Sequence, residues 1–288
     1  MTFALSPLST ARSHAALPSC IFQAAANPVV PFLVEALRHA DCAQYVDHLV
    51  VTARNHPAAQ PAYLHALAAG NLPFLTVALC DFALHEFRFA ASDIPALRFL
   101  IARVERPLHR QVLLRHLAQF AGHYRHGDLR RLRSLPMGLF RSSELSQAAL
   151  GQRFRDALGS QATWTPLDGT DPVRWQEQHL HLLQAGSLAE ALGAYALGTV
   201  MLDSIHLPFL LEGCARVALA PDACLLFHLH HALTEVRQVA YRQMAIDLAS
   251  TAQGRFDLAR GMHNALRLHQ SFWEWLHKRA MSRLALLG

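Results

Sequence analysis

The chain has 288 residues, of which 52% are hydrophobic and 16% are charged, and its formal net charge is +5. This composition excludes a disordered chain, because it supplies enough apolar surface to bury a core. The five cysteines lie far apart without a CxxC pair, which favours reduced thiols over a disulfide framework. The basic residues are densest from Arg125 to Arg133 but lack interleaved aromatic side chains, so we expect no nucleic-acid partner.

Residues 1–25 are rich in Ala, Ser and Pro and show little periodicity. We therefore expect a poorly ordered arm there, followed by a single domain over residues 26–288. No basic start leads into an unbroken apolar segment, so a secretory signal is not expected. The apolar stretch from Phe74 to Cys80 ends at Asp81, well short of the roughly 20 residues that a bilayer requires. We expect a cytoplasmic protein with no membrane partner.

Apolar residues recur at three- and four-residue spacing through most of the chain, and alternating strand patterns are missing. This pattern predicts an all-α fold, a bundle of about eight to ten helices. No internal repeat of about 20 to 50 residues is visible, which favours a closed bundle over a solenoid. The predicted helix breaks are at Asn55–Pro57, Gly70–Pro73, Ser92–Pro95, Leu135–Pro136, Thr165–Pro172, Gly186, Leu207–Pro208 and Ala220–Pro221.

Two groups of polar residues in the first half could carry chemistry. Asp81 and His85 are four residues apart on an otherwise apolar helix, so they share a face. On a helix that begins near Pro107, a polar stripe is formed by His116, Gln119, His123 and His126. Periodicity alone favours a solvated outer face for that stripe.

Two further groups lie in the second half. Asp203 is placed within a strongly apolar run, where an unpaired charge would be costly, so a metal, a histidine or Arg237 should accompany it. His230 and Thr234 share one helix face, and Arg237 continues it one turn later. His231 and Glu235 share the neighbouring face. Imidazole and carboxylate groups on either face suit iron, manganese, zinc or copper.

Five segments occur in an order that resembles the heme-oxygenase-like superfamily, in its iron-containing redox enzyme branch related to thiaminase-2 and pyrroloquinoline-quinone synthase. They are HALAAGNLPFLTVALCDFALHEF, LLRHLAQFAGHYRHGDL, LDSIHLPFLLEG, LFHLHHALTEVRQ and GMHNALRLHQSFWEWLH. The resemblance covers about His56 to His277 and rests on the order of the segments, since each is short. It implies a heme-oxygenase-like bundle in which core helices hold iron.

The ligand set implied by this resemblance is incomplete. His85 stands where the first core helix has a carboxylate, and Gln119 replaces the carboxylate of the second. Thr234 and Arg237 replace two members of a His, Asp, His triplet. Arg237 argues against two irons, because a guanidinium cannot donate to a metal and its charge would repel one. The remaining candidates for a single iron are His126, Asp203 and His230, with His85 as a fourth.

The resemblance therefore implies a metal-dependent oxidoreductase that acts on a small metabolite, as a homodimer or with a partner enzyme. The alternative is a metal-free pseudoenzyme, accessory subunit or cofactor-independent enzyme in which Arg237 pairs with Asp203. A third hypothesis is a ligand-binding protein whose pocket is lined by Phe272, Trp273 and Trp275. Core packing is the favoured explanation of those aromatic residues, because aromatic side chains dominate burial in helical bundles.

Overall fold

The computed structural model describes residues 42–131, 142–159 and 171–283. Within these ranges the regular secondary structure is helical and no strand occurs, which confirms the predicted all-α class. The predicted arm at residues 1–25 and the predicted break at Leu135–Pro136 lie outside the described residues. With Leu188–Arg216 counted as one helix, the described ranges contain eleven α-helices, one more than the sequence predicts.

Short 3-10 turns at Pro57–Ala59 and Ser142–Leu145 supplement the α-helices. In chain order these helices are α1 (Cys42–Asn55), α2 (Ala62–Ala69), α3 (Leu75–Ala90), α4 (Asp93–Arg103), α5 (Pro107–Phe120), α6 (His126–Arg131), α7 (Gln147–Leu158), α8 (Asp171–Ala185), α9 (Leu188–Arg216), α10 (Leu225–Leu248) and α11 (Ala252–Ser282).

Side-chain caps fix where several helices begin. The hydroxyl of Ser146 accepts a hydrogen bond from the third residue of α7, that of Ser187 does the same for α9, and that of Thr251 for α11. Each cap satisfies a backbone N–H that has no partner within its helix. Gly70 ends α2 with φ of +75°, a left-handed conformation that glycine adopts without a Cβ penalty.

Helix α9 is long and strongly apolar, and it contains a π-helical segment at Gly193–Val200. Its 29 residues are enough to cross a bilayer by length and composition alone, with a mean hydropathy of 1.4 over the most apolar window. This apolar window is longer than the stretch from Phe74 to Cys80, on which the expectation of no membrane span was based. Of the same window, 61% is buried inside the protein, as is usual for the central helix of a bundle.

Pro208 lies inside α9, so the break predicted at Leu207–Pro208 is wrong. Proline removes one backbone donor and usually ends or kinks a helix. Here Leu207 and Leu210 on either side are buried, with 5% and 4% of their surface exposed. Tertiary packing of these leucines outweighs the local preference of proline to end the helix.

Helices α9 and α11 approach each other closely along a seam of small residues. A Cβ added to Gly261 would collide with the backbone carbonyl of Glu190, and one added to Gly193 would collide with that of Leu258. A Cβ on Gly198 would lie 2.6 Å from the Cβ of Ala265. The backbones can therefore pack at this distance only because glycine lacks a side chain.

The buried side chains form two hydrophobic clusters. One is built around α1, α4, the π segment and the first half of α11, and it includes Tyr195, Val200 and Leu202. The other is built around α2, α3, α7 and the second half of α11, and it includes Phe82 and Trp273. Residues of both clusters border one cavity, which is thereby placed between them.

Candidate functional site

The cavity between the two clusters has a volume of about 100 Å³, enough for several waters or a small organic molecule. Seven helices supply its walls: α3, α4, α5, α7, α9, α10 and α11. Its ionisable side chains are Glu86, Asp93, His116, Asp203, His206, His230, Arg237 and His269. Its aromatic side chains are Phe82, Phe87, Phe120, Tyr195, Phe227 and Trp273.

Three carboxyl groups reach the cavity from three different helices. Glu86 lies one helical turn after Phe82 on α3, so both side chains border the same space. Asp93 is the first residue of α4. Asp203 follows the π segment on α9, and its spacing of four from Thr199 and three from His206 places these three residues on one face.

Burial raises the pKa of all three carboxyl groups. Burial, reinforced by the negative charge of Asp203, raises the pKa of Glu86 to about 7. Burial raises the pKa of Asp203 to about 7 despite the opposing effect of Arg237. Burial and the charges of Glu86 and Asp203 raise the pKa of Asp93 well above its ordinary value, again against Arg237. Near neutral pH the group therefore shares protons instead of ionising fully.

Arg237 is buried and is held by a chain of hydrogen bonds that leads away from the cavity. Its Nε donates to Gln119 Oε1 at 3.0 Å, and Gln119 Nε2 donates to Asp128 Oδ2 at 3.2 Å. Asp128 also accepts hydrogen bonds from Arg115 and from the backbone N–H of Arg125. Since a carboxylate only accepts, Asp128 fixes the amide of Gln119 with its oxygen towards Arg237.

Three residues of the cavity wall carry buried polar atoms that make no hydrogen bond with the described part of the chain. These atoms are Asp93 Oδ1, Arg237 Nη1 and Trp273 Nε1. A buried polar atom without a partner costs about 1 to 3 kcal/mol. One acceptor and two donors at one cavity are thus available to a bound molecule.

The four histidines of the cavity wall are held neutral. Burial lowers the pKa of His206 to about 4 and that of His230 to about 3, in the second case with help from the charge of Arg237. Burial also lowers the pKa of His116 and His269 well below the ordinary value. Their roles near pH 7 are therefore those of neutral hydrogen-bonding groups.

A second hydrogen-bond network borders the cavity at the π segment. The hydroxyl of Thr199 donates to the carbonyl of Ala194 at 3.1 Å. It therefore accepts from the Nε2 atoms of His269 at 3.1 Å and His179 at 3.4 Å. Because Nε2 of neutral His179 carries the proton, its Nδ1 accepts from Ser92 Oγ at 2.9 Å. The network fixes the wall of the cavity beside Asp93.

The structure brings together two of the four metal ligands predicted from the sequence. Asp203 and His230 line the cavity, whereas His126 is exposed at the start of α6 and His85 is buried against Trp275, with ring centroids 5.0 Å apart. Among the described residues, no three His, Cys, Asp or Glu side chains are arranged to hold a metal ion. Of the predicted single-iron set, Asp203 and His230 thus lie at the cavity and His85 and His126 lie outside it, and the iron itself stays a prediction.

The three positions predicted to replace ligands lie near one another. Arg237 lines the cavity, Gln119 is its hydrogen-bond partner, and Thr234 Oγ1 donates to the backbone carbonyl of His230 at 2.7 Å. Among the described residues, Arg237 and Asp203 do not form a direct ion pair. Burial raises the pKa of Asp203, and the charge of Arg237 opposes this rise. The predicted coupling between them thus acts through space.

Sequence reasoning missed Glu86 and Asp93. Successive helical residues point about 100° apart, so assigning the first-helix position to His85 placed the neighbouring carboxylate outside the expected site. The four-residue spacing of Phe82 and Glu86 was the available signal. Of the aromatic residues proposed for a pocket, Trp273 does line the cavity, whereas Phe272 and Trp275 pack against Trp175.

We compared the chain with protein-family models and with curated proteins. Neither comparison found a match.

Proposed function

We propose that this protein binds a small molecule in the cavity between its two core clusters and transforms it by general acid–base chemistry, using Glu86 and Asp203. The observation that supports this proposal is that Glu86, Asp93 and Asp203 reach one small cavity from three helices. Keeping three carboxyl groups there opposes folding, because each loses hydration and repels the others. Such arrangements are typical of functional sites.

The proposed roles follow from the proton affinities. With a pKa of about 7, Glu86 and Asp203 each exist in both protonation states at neutral pH. In one turnover, the ionised group accepts a proton from the substrate and the protonated group donates one to it. The total number of protons on the pair is unchanged, so transfer of a proton between the two groups restores the starting state. This chemistry is efficient when the pKa matches the ambient pH.

Incubation of the untagged protein with a cytoplasmic small-molecule extract tests this proposal, with mass spectrometry following which compounds disappear and form. We expect at least one metabolite to be converted, and Glu86→Gln to slow its conversion about 100-fold or more. The control is Glu235→Gln, which removes an exposed carboxylate from α10 outside the cavity. Absence of any conversion, or equal rates in Glu86→Gln and the unsubstituted protein, would contradict the proposal.

The metal-dependent oxidoreductase predicted from the resemblance is a second candidate. It is favoured by Asp203 and His230, which border the same cavity as Glu86 and Asp93. The positions of His85 and His126 outside the cavity count against it. Metal content of the untagged protein after anaerobic iron loading tests this candidate. Bound iron that is lost in Asp203→Asn would favour it over the acid–base proposal, and no bound iron would exclude it.

A further inference from the structure

The charge balance of the cavity limits what it can bind. Three carboxyl groups face it, whereas Arg237 is the single guanidinium among the described lining residues. Two arginines outside the cavity lining are engaged with other carboxylates: Arg115 pairs with Asp128, and Arg279 pairs with Asp81. The four histidines of the wall are neutral, because burial lowers the pKa of each. The wall therefore offers more potential negative charge than its own cation can balance.

The apolar part of the wall is aromatic. Phe82 and Trp273 stack with their ring planes 9° apart and centroids separated by 5.9 Å, and Phe227 lies at an angle to Phe82. Phe120 borders the cavity from α5 and packs against His116. Aromatic faces attract cations through the ring quadrupole, and the attraction is strongest for tryptophan and in sites shielded from water.

The polar atoms without a partner complete the pattern. Asp93 Oδ1 can accept a hydrogen bond from a bound molecule, while Arg237 Nη1 and Trp273 Nε1 can donate to one. Arg237 and Trp273 are buried, with 6% and 4% of their surface exposed, so their unused donors are shielded from solvent. The complementary ligand carries both N–H donors and a hydrogen-bond acceptor.

We propose that the cavity binds a small organic cation, an ammonium or amidinium compound, whose N–H groups donate to Asp93, Glu86 and Asp203. An acceptor on the same molecule takes the donors of Arg237 and Trp273, and its apolar body lies against the aromatic wall. This inference rests on the proposed function, since it names the substrate class of the same cavity. The proposed substrate thus supplies the positive charge that the wall lacks.

Titration calorimetry on the full untagged chain tests the inference with two matched pairs of probes. Methylguanidinium is compared with its neutral isostere N-methylurea, and n-propylammonium with n-propanol. We expect at least one cation to bind at least tenfold more tightly than its neutral partner. Asp203→Asn should weaken that binding at least tenfold, and Glu235→Gln should leave it unchanged.

Several results would overturn the inference. They are neutral isosteres that bind as tightly as both cations, cation binding that Asp203→Asn does not weaken, and no binding of either cation. Failure of this inference can be distinguished from failure of the proposed function. Cation binding without conversion of any metabolite would contradict acid–base catalysis alone. Conversion of neutral or anionic metabolites only would contradict the assignment of substrate class alone.

Discussion

Helix α9 takes part in two regions with opposite properties. Along its seam with α11, Gly193 and Gly198 let two backbones pack in direct contact. At the cavity, Asp203 of the same helix borders a space shared with two other carboxyl groups. The seam is built for close packing, whereas the cavity retains charges and donors that are incompletely satisfied. Substitutions that add volume should therefore harm the seam, while substitutions that remove charge should stabilise the cavity and abolish its function.

The π segment connects the two regions. Between Gly193 and Val200 the helix widens, and the hydroxyl of Thr199 donates to the carbonyl of Ala194, five residues earlier. The segment thus packs glycines against α11 and also supplies Tyr195 and Thr199 to the cavity wall. Single π-helical turns within α-helices are frequent at functional sites.

The largest expected effect is at the seam. Gly261→Ala would place a Cβ against the backbone carbonyl of Glu190, which cannot rotate away as a side chain can. We expect the free energy of unfolding to fall by about 3 kcal/mol, measured by urea denaturation. Gly127→Ala on α6 is the matched control, because nothing lies within 4 Å of its added Cβ. Equal stability of the two variants would show that the seam is not closely packed.

The next largest loss of stability is expected at Asp128, which is linked to Arg237 through Gln119. Asp128 is buried and accepts hydrogen bonds from Arg115, Gln119 and the backbone of Arg125. Asp128→Asn removes the negative charge and introduces donors that compete with these three, so the free energy of unfolding should fall by about 2 kcal/mol. Thermal and urea denaturation measure it. In the same variant Gln119 loses its fixed orientation, and cation affinity should change together with stability.

A change in stability without any change in cation affinity would show that the chain from Asp128 through Gln119 does not position Arg237. An unchanged stability would show that the buried carboxylate contributes little to the fold. Asp156→Asn on α7 serves as the control, since that carboxylate is exposed and accepts one hydrogen bond from neighbouring Gln152.

The smallest expected effect is an increase in the free energy of unfolding, in the variant Glu86→Gln. Glu86 has a pKa of about 7 in the folded protein, above its ordinary value of 4.5, so the folded state binds the extra proton. The associated stability is present below about pH 4.5 and is lost as the pH rises through about 7. Because glutamine does not ionise, Glu86→Gln removes this loss of stability at high pH. At pH 8 the variant should be more stable than the unsubstituted protein by about 1 to 2 kcal/mol, and at pH 4.5 the difference should vanish.

Urea denaturation of Glu86→Gln and the unsubstituted protein at these two pH values measures the difference. Glu235→Gln, at an exposed position, should show no comparable gain. A variant that is less stable than the unsubstituted protein at pH 8 would show that ionised Glu86 stabilises the fold, and that removing charge from the cavity does not stabilise it.

The fold class follows from the sequence because the helical period of apolar residues is set by burial on one face. Finer features depended on tertiary contacts. Pro208 predicts a helix end, yet the buried neighbours Leu207 and Leu210 keep α9 continuous. The π segment lies where α11 approaches Gly193 and Gly198, a tertiary contact between helices distant in sequence. Helix number was underestimated because the predicted breaks did not include the connections at residues 104–106, 121–125 and 249–251.

The candidate site was predictable in part. Asp203 was singled out because a carboxylate in an apolar run requires compensation, and it does face the cavity. His230 and Arg237 followed from their shared helix face. His85 and Glu86 are adjacent, and spacing alone does not decide which of two neighbours points inward. The iron, the oxidoreductase activity and the superfamily stay predictions, because each depends on a resemblance and not on these contacts.

The most direct test of the central claim is a carbon-13 NMR titration of the side-chain carboxyl groups in the ligand-free protein, with Glu86→Gln and Asp203→Asn providing the assignments. We predict that the two signals missing from these variants titrate with apparent pKa values near 7. If both instead titrate near 4, as exposed carboxyl groups do, the cavity does not hold protons at neutral pH. The acid–base function proposed for it would then be contradicted.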